Sequence, residues 1–206
     1  MAVLKGPMLS LDASGSIGGA ITFSKWKGRN YARELVKPAN PNSGLQVSVR
    51  AMMRFITQEY GGLSATIKGR WEDEYPSLVI TGLNAMVKLN QERNRQFLGA
   101  KQDPTLAAGA VEAAPGGVVA TAAPKSVRLT WTDSIGADDW CTLIYRSTTL
   151  GFTPGPSNLL RVVPDGLQAF TDVGLTTGTP YYYRLGGCET GGTLGTLAAE
   201  VTATPT

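Results

Sequence analysis

Short runs of alternating apolar and polar residues occupy the second half of the chain and predict β-strands with one buried face. Alternation is seen at residues 126–132 and 181–185, and two further β-rich runs span residues 140–147 and 195–205. Because side chains at every second position of a strand share a face, these runs predict a small β-sandwich around one core. The side chains that we expect in this core are Trp131, Ile144, Leu175, Tyr181, Tyr183 and Leu185.

A loop that turns sharply into a strand places Tyr181 six residues after Leu175. This spacing suits a tyrosine corner, in which the ring fills the edge of the core and the hydroxyl bonds to backbone upstream. With Trp131 in the position of the strand B tryptophan and an Ala-Thr-Pro ending at 203–205, residues 115–206 resemble a fibronectin type III domain. The resemblance implies an all-β sandwich that serves as a spacer or a binding module, and it does not fix the function.

Residues 18–36 read as two strands that meet at a tight turn at Lys27-Gly28. A two-residue loop would place four apolar residues on one face, namely Ile21, Phe23, Ala32 and Val36. We expect this face to join the core. The same loop would place on the other face Trp26, Arg29, Tyr31 and Arg33. Aromatic side chains with arginine are typical of the centres of protein interfaces and of platforms for single-stranded nucleic acid. We predict a protein interface here, with packing against the chain's own helices and nucleic-acid binding as alternatives.

Helical spacing follows, after a Pro-Asn-Pro-Asn-Ser loop that can cap a helix beginning near Leu45. The predicted apolar stripe of this first helix is Leu45, Val49, Met52 or Met53, Ile56 and Tyr60, and Gly61-Gly62 ends the helix. Two more helices are expected over about 64–75 and 81–98, followed by a stretch rich in Ala, Gly and Pro. The sequence thus predicts an α+β N-terminal domain, a β-hairpin plus about three helices, over 1–98, a flexible linker over 99–116, and an all-β fibronectin type III-like sandwich over 117–206.

Composition adds few constraints. At 206 residues the chain has room for two domains of about 100 residues. We expect no membrane span, and residues 1–8 lack the features of a secretion signal, so we expect synthesis in the cytosol. Residues 1–101 contain 14 Lys and Arg against 7 Asp and Glu, whereas 102–206 contain 5 against 9. The basic half suggests an acidic protein surface or nucleic acid as a neighbour, unless its charge serves only solubility.

Candidate chemistry is sparse, because the chain has no histidine and so lacks the usual general base. The carboxylate groups at 72–74 and 138–139 are expected to lie on the solvated surface. The glycine-rich stretch 15–19 is expected to form a bend, because it lacks the lysine of a phosphate-binding loop. Cys141 and Cys188 lie on neighbouring predicted strands, at positions that point away from the sandwich core. They are therefore either two free thiols or a disulfide between adjacent strands, and we favour free thiols. We expect no catalytic residue, cofactor or metal site.

The glycine-rich start, the Trp26-Lys27-Gly28-Arg29 turn and the Asn40-Pro41-Asn42 loop give residues 10–98 a second resemblance. They are similar to small structural proteins encoded among bacteriophage virion genes. The resemblance implies a non-enzymatic building block of a tailed-phage particle, located in the virion, with other virion proteins and itself as partners and a sandwich displayed outward. Two alternatives remain. The first is an accessory carbohydrate- or protein-binding module using Tyr145, Phe152 and Tyr182, and the second is a DNA-contacting virion component.

Overall fold

The computed structural model describes residues 2–4, 14–36, 40–133 and 139–206. It divides the chain into two compact units, Met1–Pro41 and Asn42–Thr206. The first unit is an antiparallel four-stranded sheet in the order β1-β4-β3-β2. Its strands are β1 (Ala2–Leu4), β2 (Gly15–Ile17), β3 (Ile21–Trp26) and β4 (Arg29–Glu34).

The predicted hairpin is present as β3 and β4, joined by the two-residue loop Lys27-Gly28. Both loop residues have positive φ, 48° for Lys27 and 77° for Gly28, as the favoured hairpin turn requires. The register pairs Trp26 with Arg29, which confirms the predicted division of side chains between the two faces. The glycine-rich stretch 15–19 is more than the expected bend, because it contributes strand β2 as well as a turn at Gly18-Gly19.

The second unit begins with the three predicted helices, α1 (Gly44–Gly62), α2 (Ala65–Asp73) and α3 (Gly82–Arg95). Side-chain oxygens cap two of them. The Ser64 hydroxyl accepts a hydrogen bond from the backbone N–H of Ile67, and Thr81 accepts one from the N–H of Asn84, each at 3.3 Å. These bonds satisfy backbone donors that the first turn of a helix leaves without partners, which is why the helices begin there.

Two antiparallel sheets form the sandwich that follows. One has the order β5-β6-β9, and the other has the order β11-β10-β7-β8 with β12 paired to β10. The strands are β5 (Gly116–Ala123), β6 (Ser126–Thr132), β7 (Asp139–Ser147), β8 (Leu159–Pro164), β9 (Ala169–Val173), β10 (Tyr181–Glu189), β11 (Leu194–Leu197) and β12 (Val201–Ala203). This strand arrangement is fibronectin type III-like.

All six side chains predicted for the sandwich core lie in one buried cluster between the two sheets. The tyrosine corner is also present, because the Tyr181 hydroxyl accepts a hydrogen bond from the backbone N–H of Thr176 at 3.1 Å. A charged network lies beside this core. Asp172, 4% exposed, accepts hydrogen bonds from the Arg146 guanidinium and from the Tyr183 hydroxyl, so the buried carboxylate is fully partnered.

The helices pack against the sandwich and share a second core with it. Phe55 and Trp71 of the helices are buried in one cluster with Trp140, Leu143 and Tyr145 of strand β7. Asn42–Thr206 is therefore three layers, helices, one sheet and the other sheet. The predicted division into 1–98, 99–116 and 117–206 differs from this arrangement, because apolar side chains of the helices bury the outer face of a sandwich sheet.

The segment 99–116, predicted to be a flexible linker, is held by specific contacts along its first half. The Asn90 side chain, fully buried, donates to the carbonyl of Lys101 and accepts from the N–H of Lys101. Asp103 pairs with the Arg70 guanidinium, and the Trp71 indole donates to the carbonyl of Gln102 at 2.8 Å. These bonds tie the segment to α2 and α3, which the Ala, Gly and Pro composition alone does not reveal.

Helix α1 is rotated relative to the predicted stripe. Leu45 and Val49 are 58% and 42% exposed, whereas Met52, Phe55 and Ile56 are buried. A polar pair fixes this rotation, because the Asn94 amide of α3 donates to the Ser48 hydroxyl at 2.7 Å and both residues are buried. A buried serine lies outside any hydrophobic pattern, so apolar spacing predicted the helix and the burial of Met52 and Ile56 correctly, and the burial of Leu45 and Val49 incorrectly.

Candidate protein interface

The four side chains predicted to form an interface all lie on one face of the N-terminal sheet. Strand pairing places Trp26 opposite Arg29, with Tyr31 and Arg33 at alternate positions further along β4. Trp26 is 63% exposed, both arginines are exposed and Tyr31 is half-buried. We call these four residues the Trp/Arg face. The Lys27 ammonium lies 4.9 Å from the centre of the Trp26 ring, a cation–π contact that leaves most of the indole accessible.

The opposite face of the same sheet is apolar. Ile17 pairs with Ile21, and Phe23 pairs with Ala32, so these four side chains share that side and form what we call the apolar face. We expected Ile21, Phe23, Ala32 and Val36 to belong to the core. The structure contradicts this expectation, because Ile21 is 46% exposed and Val36 is 68% exposed.

The first unit has no buried side chain among the residues 14–36 and 40–41 that the structure describes. A sheet of this size gains its stability by burying a hydrophobic face against another layer. Here aromatic or aliphatic residues occupy both faces, and solvent reaches both.

The rotation of α1 exposes a second apolar surface, which includes Leu45 and Val49 of the predicted apolar stripe. Leu45, Val49 and Met53 are spaced by four residues and are 58%, 42% and 41% exposed. Arg50 and Arg54 are exposed on the same helix. The signal was present in the sequence as two overlapping apolar stripes on one helix, of which only one can face the sandwich.

The carboxylate groups have the surroundings of solvated side chains. Glu72 and Asp73 are exposed at the end of α2, and Glu74 is half-buried. Asp138 lies outside the described residues, so the predicted pair with Asp139 has no geometry to report. Among the residues that the structure describes, no group of three or more Cys, Asp or Glu side chains could hold a metal ion.

The two cysteines are buried and free, on directly paired positions of β7 and β10. They lie on the side of that sheet covered by the helices, which explains their position off the sandwich-core parity. The Cys188 thiol donates to the carbonyl of Ala100 at 3.0 Å. Burial raises the pKa of the Cys141 thiol well above its usual value, and neighbouring Cys188 raises that pKa further. A thiol held neutral in this way is a poor nucleophile.

A cavity of about 500 Å³ lies between the end of α3 and the β10–β11 connection. It is lined by apolar groups such as Phe97, Leu98 and Leu194, with Arg93 as its charged side chain. Burial lowers the pKa of Arg93, and its guanidinium already donates to the carbonyls of Gly99 and Gly192. The cavity therefore offers few polar groups with which to orient a ligand.

The aromatic side chains proposed for carbohydrate binding do not form an exposed strip. Tyr145 is 2% exposed and packs against Phe97 with ring centres 5.5 Å apart, and Phe152 is 8% exposed. Only Tyr182 is partly accessible. Sugar stacking requires accessible ring faces, so these three residues cannot act together as a binding strip.

No helix in the described part of the chain is long and apolar enough to span a membrane. No protein-family profile and no curated protein matches the sequence. Three solved structures resemble the chain over about half of its length.

A fibronectin type III-like protein from Clostridium thermocellum is 26% identical over 47% of this chain and 96% of its own, with a TM-score of 0.38. A human fibronectin type III domain is 14% identical over 46% of this chain and 74% of its own, with a TM-score of 0.39. A β-1,2-glucanase from Parabacteroides distasonis is 21% identical over 50% of this chain, which covers 14% of the glucanase, with a TM-score of 0.42. At these TM-scores the likenesses carry no argument about function.

Proposed function

We propose that the chain is a non-enzymatic structural protein of a tailed-bacteriophage virion. Its N-terminal region docks onto the capsid or tail, and its fibronectin type III-like sandwich is displayed outward for decoration, cementing or adhesion to a host surface. The observation that supports this most directly is the N-terminal sheet without a buried described side chain. The resemblance of residues 10–98 to virion proteins supplies the phage context.

The Trp/Arg face is the surface that we assign to docking on other virion proteins. Trp26 is 63% exposed, and a tryptophan buries about 150 to 250 Å² when fully covered. Covering the exposed part would remove roughly 100 to 150 Å² from water, which stabilises a complex by about 3 kcal/mol. Arg29 and Arg33 add donors that suit an acidic partner surface. Tryptophan and arginine together are the residue types that dominate binding energy at interfaces.

A reconstitution assay tests this proposal. Purified chain is added to particles that lack it, and the bound fraction is measured after sedimentation. We expect Trp26→Ala and Arg29→Ala each to weaken association by at least about 30-fold, the loss typical of a central interface residue. Arg128→Ala, an exposed arginine on sandwich strand β6, is the matched control and should bind as the unsubstituted chain does. Normal association of both hairpin variants would contradict the assignment of this face.

The DNA-contacting alternative draws on one observation. Lys25, Lys27, Arg29 and Arg33 are all exposed on the hairpin, a density of positive charge that phosphate groups attract. A salt-sensitive shift of labelled duplex by the full chain, lost on Arg29→Ala and Arg33→Ala, would favour that alternative. Particle association that persists at salt concentrations which abolish any DNA shift would favour the protein interface.

A further inference from the structure

We infer that the apolar face of the N-terminal sheet is a self-association surface, on which two copies of the chain pack their sheets face to face about a two-fold axis. The face consists of Ile17, Ile21, Phe23 and Ala32, none of which is buried. This inference concerns a different face from the one that the proposed function uses. The two can therefore fail independently.

Electrostatics distinguish which face can meet a copy of itself. The Trp/Arg face carries Arg29 and Arg33, and no acidic residue occupies the positions of β3 and β4 on that side. Packing it against a second copy would bring like charges together, which disfavours association. The apolar face instead carries one Lys25 and one Glu34 on those strands, so its charges balance.

The positions of these two charges suit a two-fold arrangement. Lys25 lies near the turn end of β3, whereas Glu34 lies at the opposite end of β4, paired with Ile21. Two sheets that pack face to face keep their strands within about 30° of each other. With strand directions reversed by the two-fold axis, Lys25 of each copy comes near Glu34 of the other, and the apolar side chains fill the centre.

The size of the face sets the expected affinity. The two central strands have six residues and the two edge strands have three, so a spacing of about 4.8 Å and a rise of about 3.4 Å per residue give a footprint of roughly 300 Å² per copy. That is well below the roughly 800 Å² per partner of a standard interface. We therefore expect a dimer in the micromolar range, strengthened when particle binding concentrates the chain.

Sedimentation velocity of the full chain from about 1 to 200 μM tests the inference, with circular dichroism as the check on folding. We expect a reversible monomer–dimer equilibrium for the unsubstituted chain. Ile21→Glu on the apolar face should weaken it at least about 100-fold, because a charge is then buried at the centre. Trp26→Glu, which adds the same charge to the Trp/Arg face, should leave the dimer within about threefold. A chain that stays monomeric at 200 μM, or an Ile21→Glu variant that still dimerises, overturns the inference.

A charge exchange provides a second test that leaves the apolar residues untouched. Lys25→Glu alone should weaken the dimer about tenfold, since two interfacial pairs become repulsive. Adding Glu34→Lys should restore the affinity to within about threefold. Failure of the double variant to recover would overturn the two-fold arrangement. If the unsubstituted chain dimerises but does not associate with particles, the proposed function alone is contradicted.

Discussion

Truncating Phe55 should destabilise the sandwich as well as the helix that carries it. Phe55 is 1% exposed, and its ring centre lies 4.7 Å from that of Trp140 on strand β7. Phe55→Ala removes this contact and leaves a cavity between the helical layer and the sheet. Substitutions of this kind cost about 3 to 5 kcal/mol, a large part of the 5 to 15 kcal/mol that stabilises a typical domain.

Guanidinium unfolding and hydrogen exchange together measure the effect. With a denaturant dependence of about 4 kcal/mol per molar, the unfolding midpoint should fall by about 1 M. Because the helices and both sheets share connected cores, amide protons of the distant strand β6 should lose protection by the same free energy as those of α1. Val173→Ala, at a position 70% exposed on β9, is the control and should change stability by less than about 0.5 kcal/mol.

If Phe55→Ala lowered the protection of α1 and left β6 unchanged, the helices and the sandwich would unfold independently. That outcome would mean that two domains are joined by a flexible linker. It would contradict the three-layer packing on which the expected loss of about 3 to 5 kcal/mol depends.

Three further predictions concern single sites. Gly99→Ala should lower the free energy of unfolding by about 1 to 3 kcal/mol, because a β-carbon there would overlap the Cys188 sulfur, whereas Gly61→Ala in open space should not destabilise. Tyr181→Phe should cost about 1 kcal/mol in thermal or chemical unfolding, since it removes the acceptor of the tyrosine corner. Burial raises the pKa of Glu189, but hydrogen bonds from Thr193 and Gly109 outweigh this effect and lower the pKa. The ionised Glu189 therefore stabilises the fold above the ordinary pKa of glutamate, and this stabilisation is lost as the pH falls through the lowered pKa. Glu189→Gln should accordingly flatten the acid limb of stability measured from pH 6 to pH 2, and an unchanged slope would contradict this.

The sandwich core and the helix boundaries were accessible to sequence reasoning because local rules decide them. Alternation determines which side chains of β6 and β10 face inward, and the tyrosine corner fixes the entry to β10. Ser64 and Thr81 mark helix starts by the hydrogen bonds that their hydroxyls accept. These features depend on residues close together in the chain.

The packing of helices on the sandwich depends on distant residues, and the sequence signal for it was misinterpreted. Residues 140–145 are all buried, and they form a nearly continuous apolar run rather than an alternating one. Such runs are typical of strands covered on both faces. The segment 99–103 has no comparable apolar pattern, because it is held by buried polar contacts to Asn90 and Arg70 that composition does not reveal.

The common face of Trp26, Arg29, Tyr31 and Arg33 could be predicted from the sequence, because a two-residue turn fixes which side chains share a face. That the apolar side of the sheet is also accessible could not be predicted, since burial depends on what the rest of the chain provides as a cover. The same reason explains why Leu45 and Val49 were assigned to a core that they do not join.

The helical layer also limits how the sandwich can diversify. A free-standing module of this kind presents two broad sheet surfaces that mutation can vary, but here one of them is sealed by α1 and its neighbours. Variation without loss of folding is left to the β5-β6-β9 surface, where Val119, Arg128 and Val173 already face solvent, and to the connecting loops. Lineages that adapt this protein to new surroundings should accumulate substitutions there, while the helix-covered sheet stays constant.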